Sequence, residues 1–335
     1  MKFQIGIVGA GVIGRRLASR FANDKEVHIK WICDLALERA SLLAEEFGGI
    51  ATTDLNDILN DKEIDVMYVG VPPKWHPEIT VSALAKGKHV ICEKPIALTI
   101  AEADRMIDMA NNSGLKTCIN LPFRWTPAVI AMNEKLKASY VGEIKRILLK
   151  FRFPQWPREW QQVDWLAQAE QGGPLREVGT HFFFALYELK EHIGLPVKVQ
   201  VETQFHPHGG CERYAKGIIE LDSGLVVDID LVTGGENEEE NSITVLGEKG
   251  ILTLQSWYRL LGKTGNSLTL DTIYPLAKLE VLNEQGSGSE DLVGTFIKHL
   301  KGEASDRAMV SFEEARFAQN ILESIFASKG KLISL

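Results

Sequence analysis

The chain has 335 residues, which at roughly 150 residues per domain makes about two domains. Its 45% hydrophobic and 24% charged residues fall in the ordinary globular range, so two cores can form without disulfides. The net charge of −8 comes without basic blocks, which argues against nucleic acid as a partner, and no run of ~18 apolar residues offers a membrane helix.

The N-terminus reads as a first strand. The apolar stretch from Phe3 to Val8 runs straight into glycines, whereas a secretory leader opens with basic residues and closes on a small-residue cleavage site. Cys33, Cys92, Cys118 and Cys211 show no paired spacing, so reduced, buried thiols and a cytoplasmic location are expected.

The first ~120 residues alternate β-rich runs with amphipathic segments, the βαβ signature of a parallel sheet. Phe3–Val8 leads to a helix over Val12–Ala22. Val27–Cys33 leads to one over Leu35–Phe47, with Leu35, Ala36, Leu42, Leu43 and Phe47 on one face. Asp65–Val71 and His89–Cys92 are further strands, each preceded by a helical segment. Thr99–Asn111 is a helix that Gly114 ends, and Thr117–Asn120 closes the set. After Pro122 the alternating, turn-bounded segments Lys145–Phe153, Lys198–Phe205, Gly217–Asp222, Leu225–Val232 and Ser242–Leu246 predict an antiparallel sheet. Helices are expected at Thr126–Lys137, Pro174–His192, Ser289–Lys301 and Phe312–Ser328, and Glu236–Glu240 reads as a solvated hairpin tip. The fold class is α/β: an N-terminal Rossmann dinucleotide-binding domain (1–121), then an α+β domain (122–335) with a large, mostly antiparallel sheet.

Gly9-Ala10-Gly11-Val12-Ile13-Gly14 is a GxGxxG that follows a strand and opens a helix, a context that turns a weak motif into a strong one. Its first glycine permits the tight turn, its second lets a pyrophosphate approach the backbone, and its third packs helix on strand. The helix start offers free N–H groups to phosphate. Gly9, Gly11, Val12, Ile13 and Gly14 are therefore expected at the cofactor. Asp34, at the end of the second strand, can accept both ribose hydroxyls and repels a 2′-phosphate. No arginine follows at once (Leu35, Ala36, Leu37), so NAD is expected rather than NADP.

Gly70-Val71-Pro72-Pro73-Lys74-Trp75-His76 and then Ala85-Lys86-Gly87-Lys88-His89-Val90-Ile91-Cys92-Glu93-Lys94-Pro95 resemble the glucose–fructose oxidoreductase / inositol dehydrogenase (Gfo/Idh/MocA) family. Arg124-Trp125-Thr126-Pro127, Gly172-Gly173-Pro174-Leu175-Arg176-Glu177-Val178-Gly179-Thr180-His181, Leu246-Gly247-Glu248-Lys249-Gly250 and Phe312–Ser328 extend the resemblance over essentially the whole chain. The resemblance implies that Pro72, His76, Glu93 and Lys94 border the cofactor. It also implies a cis Lys94–Pro95 bond, a substrate side that includes Arg124, Trp160, Glu177 and His181, and a homodimer or homotetramer. The family's usual residue at 177 is Asp, so Glu177 departs by one methylene.

The residues support this chemistry on their own terms. Lys94 follows the carboxyl end of a parallel strand, where open α/β sheets place ligands, and an ammonium there can stabilise an alkoxide. Glu177 and His181, four apart in a helical stretch, share a face. The carboxylate can fix the imidazole's tautomer, and the imidazole can exchange a hydroxyl proton. Trp156, Trp160 and Trp165, with Arg158, either stack on sugar C–H faces or pack helix onto sheet. His206-Pro207-His208 with Cys211 lacks a carboxylate partner, so no metal is assigned. The expected activity is hydride transfer between NAD and a secondary hydroxyl or ketone of a sugar, polyol or cyclitol. A glycoside-cleaving enzyme with internal redox cycling and a non-enzymatic dinucleotide sensor remain the alternatives.

Overall fold

The computed structural model describes every residue except Met1, Gln162, Asn237, 266–268 and 275–291. The chain forms two compact units, Met1–Leu121 with Ser289–Arg316, and Pro122–Gly288 with Phe317–Leu335. A single cut after residue 121 therefore misses the returning segment 289–316. That segment is tied to the first unit by the Ile119 N–H on the Val310 carbonyl (3.0 Å) and by the pairs Arg316–Asp104 and Lys301–Glu26.

In the first unit β1 (Phe3–Val8), β2 (Val27–Cys33), β3 (Ile50–Thr52), β4 (Val66–Val69), β5 (His89–Cys92) and β6 (Thr117–Ile119) form one parallel sheet in the order β3-β2-β1-β4-β5-β6. That is the doubly wound order, with its ligand crevice outside the carboxyl ends of β1 and β4, where the winding reverses. Helices α1 (Val12–Asn23), α2 (Leu37–Phe47), α3 (Leu55–Asn60), α4 (His76–Ala85) and α5 (Ile100–Ser113) connect the strands. Ile5, Ile7, Val66, Met67, Val69, Val90 and Ile91 have no exposed surface, as strands covered on both faces require. Thr99 and Glu102 build a capping box at the start of α5, and Gly114 ends that helix in the left-handed region.

Two expectations need correction here. The helix after β2 starts at Leu37, not Leu35, because Asp34 Oδ1 accepts the Ala36 N–H (2.9 Å) and holds 34–36 as a turn. The apolar face drawn through Leu35 and Leu42 is exposed at both (92% and 60%), and the buried residues are Ala40 and Leu43. The four cysteines are free and buried; burial pushes the Cys33 thiol up to about 11 and Cys211 up to about 12.

In the second unit β7 (Ile144–Phe153), β8 (Pro196–Phe205), β9 (Glu212–Leu221), β10 (Val226–Thr233), β11 (Glu240–Gly247), β12 (Gly250–Gln255), β13 (Arg259–Thr264), β14 (Asp271–Tyr274) and β15 (Ile333–Ser334) form one sheet. Its order is β14-β13-β12-β11-β7-β10-β9-β8-β15, antiparallel except for β7 beside β10. Since β7 lies between β10 and β11, Glu236–Glu240 is not a hairpin tip but a crossover. Glu239 pairs with Arg158 (3.0 Å), and Glu240 opens β11 and pairs with Lys150 (2.7 Å). Helix α6 (Pro127–Lys137) begins on its proline. The stretch expected as one helix over Pro174–His192 is a π turn (Leu175–Gly179), then α7 (Thr180–Glu188), then a short turn over Lys190–Ile193.

Candidate active site

Each unit carries part of the candidate machinery. In the first, the Gly9 N–H donates to the Cys33 carbonyl and the Gly70 N–H to the Val8 carbonyl, both 2.8 Å, closing the turns that leave β1 and β4. Gly9 has φ +102°, and a Cβ there meets the Gly70 carbonyl oxygen at 2.2 Å; a Cβ on Gly14 meets the Gly9 oxygen at 2.0 Å. Gly11 is different, with nothing within 4 Å of its absent Cβ. Helix α1 starts on Gly11 with no side-chain cap and no acidic residue in its first turn. Its Val12 is half exposed. An open cradle, free N–H groups and a positive helix end fit a pyrophosphate.

Asp34 stands beside this cradle. Its Oδ2 accepts the Ala10 N–H (2.9 Å), and its Oδ1 accepts from the Ala36 N–H (2.9 Å) and Arg39 Nε (3.1 Å). The carboxylate is thus fixed to the glycine loop. Arg39 lies beyond the three residues that follow Asp34, and the first turn of α2 returns it onto that carboxylate.

The turn after β5 has a cis Lys94–Pro95 bond and a half-buried Lys94. Glu93 is buried and faces inward, its Oε1 accepting from the Tyr68 hydroxyl (2.9 Å) and Asn120 Nδ2 (2.6 Å). Tyr68 had a legible signal, as a hydroxyl in an apolar buried strand needs a partner. His76, expected beside the cofactor, has no exposed surface. Its ring lies between the carbonyls of Pro95 (2.8 Å) and Val71 (2.9 Å), bracing the two turns against each other. Burial, with Lys94 adding to it, pushes this imidazole down to about 4, so it is neutral at neutral pH.

In the second unit His181 lies in the first turn of α7, 4% exposed. Its ring packs against Trp257 (centroids 4.2 Å apart) and Phe123 (5.8 Å), which themselves meet edge to face at 5.2 Å. Trp257 sits in the β12–β13 turn after Ser256, with φ +73° and +48°, a left-handed pair without glycine. Such backbone costs of order 1 kcal/mol or more per residue and persists where packing over-determines it. No sequence pattern marks Trp257. Glu177 lies on the π turn just before, partly exposed, its Oε1 accepting from the buried Gln161 Nε2 (3.3 Å). The π turn alters the simple four-residue helical spacing assumed for Glu177 and His181, and such turns recur at functional sites.

One expected substrate residue, Arg124, and one member of the tryptophan cluster, Trp156, are held inside the fold. Arg124 is buried and ion-paired with Glu188 Oε1 (2.6 Å), over the Phe184 ring (5.4 Å), so it fastens the start of this unit to α7. Trp156 packs edge-on against Phe153 (4.9 Å) and donates its indole N–H to the Leu166 carbonyl (2.9 Å), the packing role of the two considered. Trp160 is 49% exposed, beside the Arg158 guanidinium.

Parallel sheet, glycine cradle and anchored acidic residue define an NAD-binding oxidoreductase architecture. Residues 3–121 match the Gfo/Idh/MocA oxidoreductase family, NAD-binding Rossmann fold, and residues 129–253 match the Gfo/Idh/MocA C-terminal domain; the chain belongs to this family. It is 27% identical over 256 residues to dTDP-3,4-didehydro-2,6-dideoxy-alpha-D-glucose 3-reductase of Streptomyces violaceoruber, covering 76% of this chain and 73% of that one. It is 30% identical over 217 residues to D-glucoside 3-dehydrogenase of Escherichia coli, covering 63% of this chain and 59% of the relative. The WlbA dehydrogenase of Bordetella pertussis, crystallised with NADH and UDP-GlcNAcA, shares the fold at TM-score 0.82 and 19% identity, over 100% of this chain and 99% of that one. Among the described residues no helix is long and apolar enough to cross a membrane.

Proposed function

We propose that the protein is an NAD-dependent dehydrogenase or reductase acting on the C3 carbinol or ketone of a glucose-type ring. The observation that carries this reading is the His181 imidazole packed against Trp257 and Phe123, an acid/base group set in an aromatic cluster. The partly exposed Trp257 indole suits the C–H side of a pyranose, while Phe123 is fully buried and backs the imidazole. The two sequence relatives described above, named for reactions at C3 of glucose-type sugars, support the choice of carbon.

NAD, when bound, supplies the nicotinamide carbon that accepts or donates hydride. Gly9, Gly11, Val12, Ile13 and Gly14 hold its pyrophosphate, and Asp34 its adenosine ribose. Pro72 and Lys94 would border it, with Glu93 held inward by Tyr68 and Asn120 and His76 bracing the two turns. In the oxidative direction His181 takes the proton of the C3 hydroxyl. Lys94, an ammonium just past the carboxyl end of β5, is suited to stabilising alkoxide character. Glu177, kept in place by Gln161, either binds a neighbouring hydroxyl or orients His181. Trp257 and Phe123 exclude water from one side of the imidazole. We further propose a cytoplasmic homodimer or homotetramer.

The test is NADH absorbance with NAD⁺ against a panel of D-glucosides, polyols and cyclitols. Turnover on glucosides that falls by about 10²–10⁴-fold in His181→Ala, with NADH still bound, supports the reading. Turnover on cyclitols alone, or unchanged turnover in His181→Ala, overturns it.

A further inference from the structure

The helical stretch that carries Glu177 and His181 begins on a buried carboxyl that no motif reading singled out. Glu212, the first residue of β9, has no exposed surface. Its Oε1 accepts the Leu175 N–H at 2.7 Å, the first residue of the π turn, and its Oε2 has no partner among the described residues. The glycines before that turn are shaped to this arrangement. Gly173 has φ +101°, and a Cβ there meets Glu212 Oε2 at 2.2 Å. A Cβ on Gly172 meets the Trp165 carbonyl oxygen at 2.3 Å. The Gly173 N–H is held by the Leu166 carbonyl, and its own carbonyl accepts the Glu177 N–H, both at 2.9 Å. One short chain of contacts thus runs from the Glu212 carboxyl through Gly173 and Leu175 to Glu177.

We propose that Glu212 is a positioning residue of this site: its carboxylate anchors the N-terminus of the segment bearing Glu177 and His181 and biases both through the helix start. This rests on the reading of Glu177 and His181 above. An anion at a helix N-terminus is favoured by the unpaired N–H groups there, and its charge favours a protonated imidazole along the same segment. Leu175 to His181 spans six residues, roughly 9 Å at helical rise. Among the described residues, the charged and titratable groups facing Glu212 are Arg176 and Cys211, with Glu323 facing Arg176 in turn. Arg176 Nη1 donates to the carbonyls of Ala169 (2.8 Å) and Gly172 (3.2 Å) and stacks over Phe326, so it does not neutralise Glu212 by direct contact. Burial, only partly offset by the Leu175 N–H, the Glu212 backbone N–H and Arg176, pushes the carboxyl up to about 7. The anchor therefore changes charge within the working range of a histidine.

The experiment needs no substrate. Backbone amide and histidine-ring NMR spectra are followed on the full chain between about pH 5 and about pH 8. In the wild type the Leu175 amide is expected to titrate near neutrality. In Glu212→Gln, which keeps the acceptor oxygen but not the charge, that response is lost and the His181 midpoint moves to lower pH. NADH affinity is unchanged. A pH-independent Leu175 amide in the wild type overturns the proposal whether or not the variant folds. His181 midpoints that coincide in the two proteins also overturn it. Failure of the glucoside assay leaves these readouts intact and strikes only the functional reading.

Discussion

Two helical segments of this protein start on or just behind a glycine, and the two starts are used in opposite ways. Helix α1 begins on Gly11 with no cap, no acidic side chain and open space where a Cβ would stand. The segment from Leu175 begins behind Gly173, whose missing Cβ leaves room for the Glu212 carboxyl already bonded to the first N–H. The same elementary fact, unpaired N–H groups with a positive dipole end, leaves one start open to an outside anion and fills the other with the chain's own carboxyl. A glycine before a helix says that something approaches closely. Whether that something belongs to the chain depends on what the fold brings opposite.

The largest effect expected from disturbing this comparison is at Gly14. Gly14→Val drives a branched side chain into the Gly9 carbonyl, whose oxygen is 2.0 Å from the first added atom. The loop and α1 cannot both keep their places. The expected loss is several kcal/mol, read as a fall in thermal midpoint together with loss of NADH binding. A variant of wild-type stability that binds NADH would show that the loop is looser than it looks.

The second effect concerns stability against pH. Glu212 is raised from its ordinary 4.5 to about 7 by burial, so the folded protein binds its proton more tightly than the unfolded chain does. The neutral acid's contribution is complete below about pH 4.5 and is lost as pH rises through about 7. The full swing corresponds to about 3 kcal/mol. Denaturant unfolding at acid and mildly alkaline pH should show the wild type losing this increment while Glu212→Gln does not. Equal slopes for the two proteins would contradict it.

A smaller effect is expected at Arg39, which offsets part of the Asp34 charge. Arg39→Ala should lower NADPH affinity relative to NADH by several-fold, within the ~1 kcal/mol range of an exposed ion pair. Unchanged relative affinity would confine Arg39 to holding α2.

Much of the first unit was legible because its signals are local. Strand runs, GxGxxG and Asp34 lie within one βαβ unit, and each constrains the next. What escaped notice depends on the return of the chain from far away or on strand neighbours. Glu212 lies 37 residues beyond the N–H it accepts. Trp257 reaches His181 only because the β12–β13 turn adopts a left-handed backbone that its residues do not advertise. The crossover at Glu236–Glu240 was misread because adjacency in sequence was taken for adjacency in the sheet, and β7 intervenes. Arg124 and His76 were expected to face ligands, but a buried arginine or histidine satisfies its donors within the fold just as readily. Sequence alone does not separate the two.

The most direct test is an NADH fluorescence titration of the wild type, Gly11→Asp and Glu212→Gln side by side. Gly11 has ordinary extended backbone (φ −77°) and open space around it, so an aspartate fits and caps α1 with the chain's own carboxylate. The account predicts that Gly11→Asp folds at least as stably as the wild type and loses NADH affinity by about 10-fold or more. It also predicts that Glu212→Gln binds NADH as the wild type does. Unchanged affinity in Gly11→Asp, or an equal loss in Glu212→Gln, would contradict the assignment of one helix start to the cofactor and the other to the protein itself.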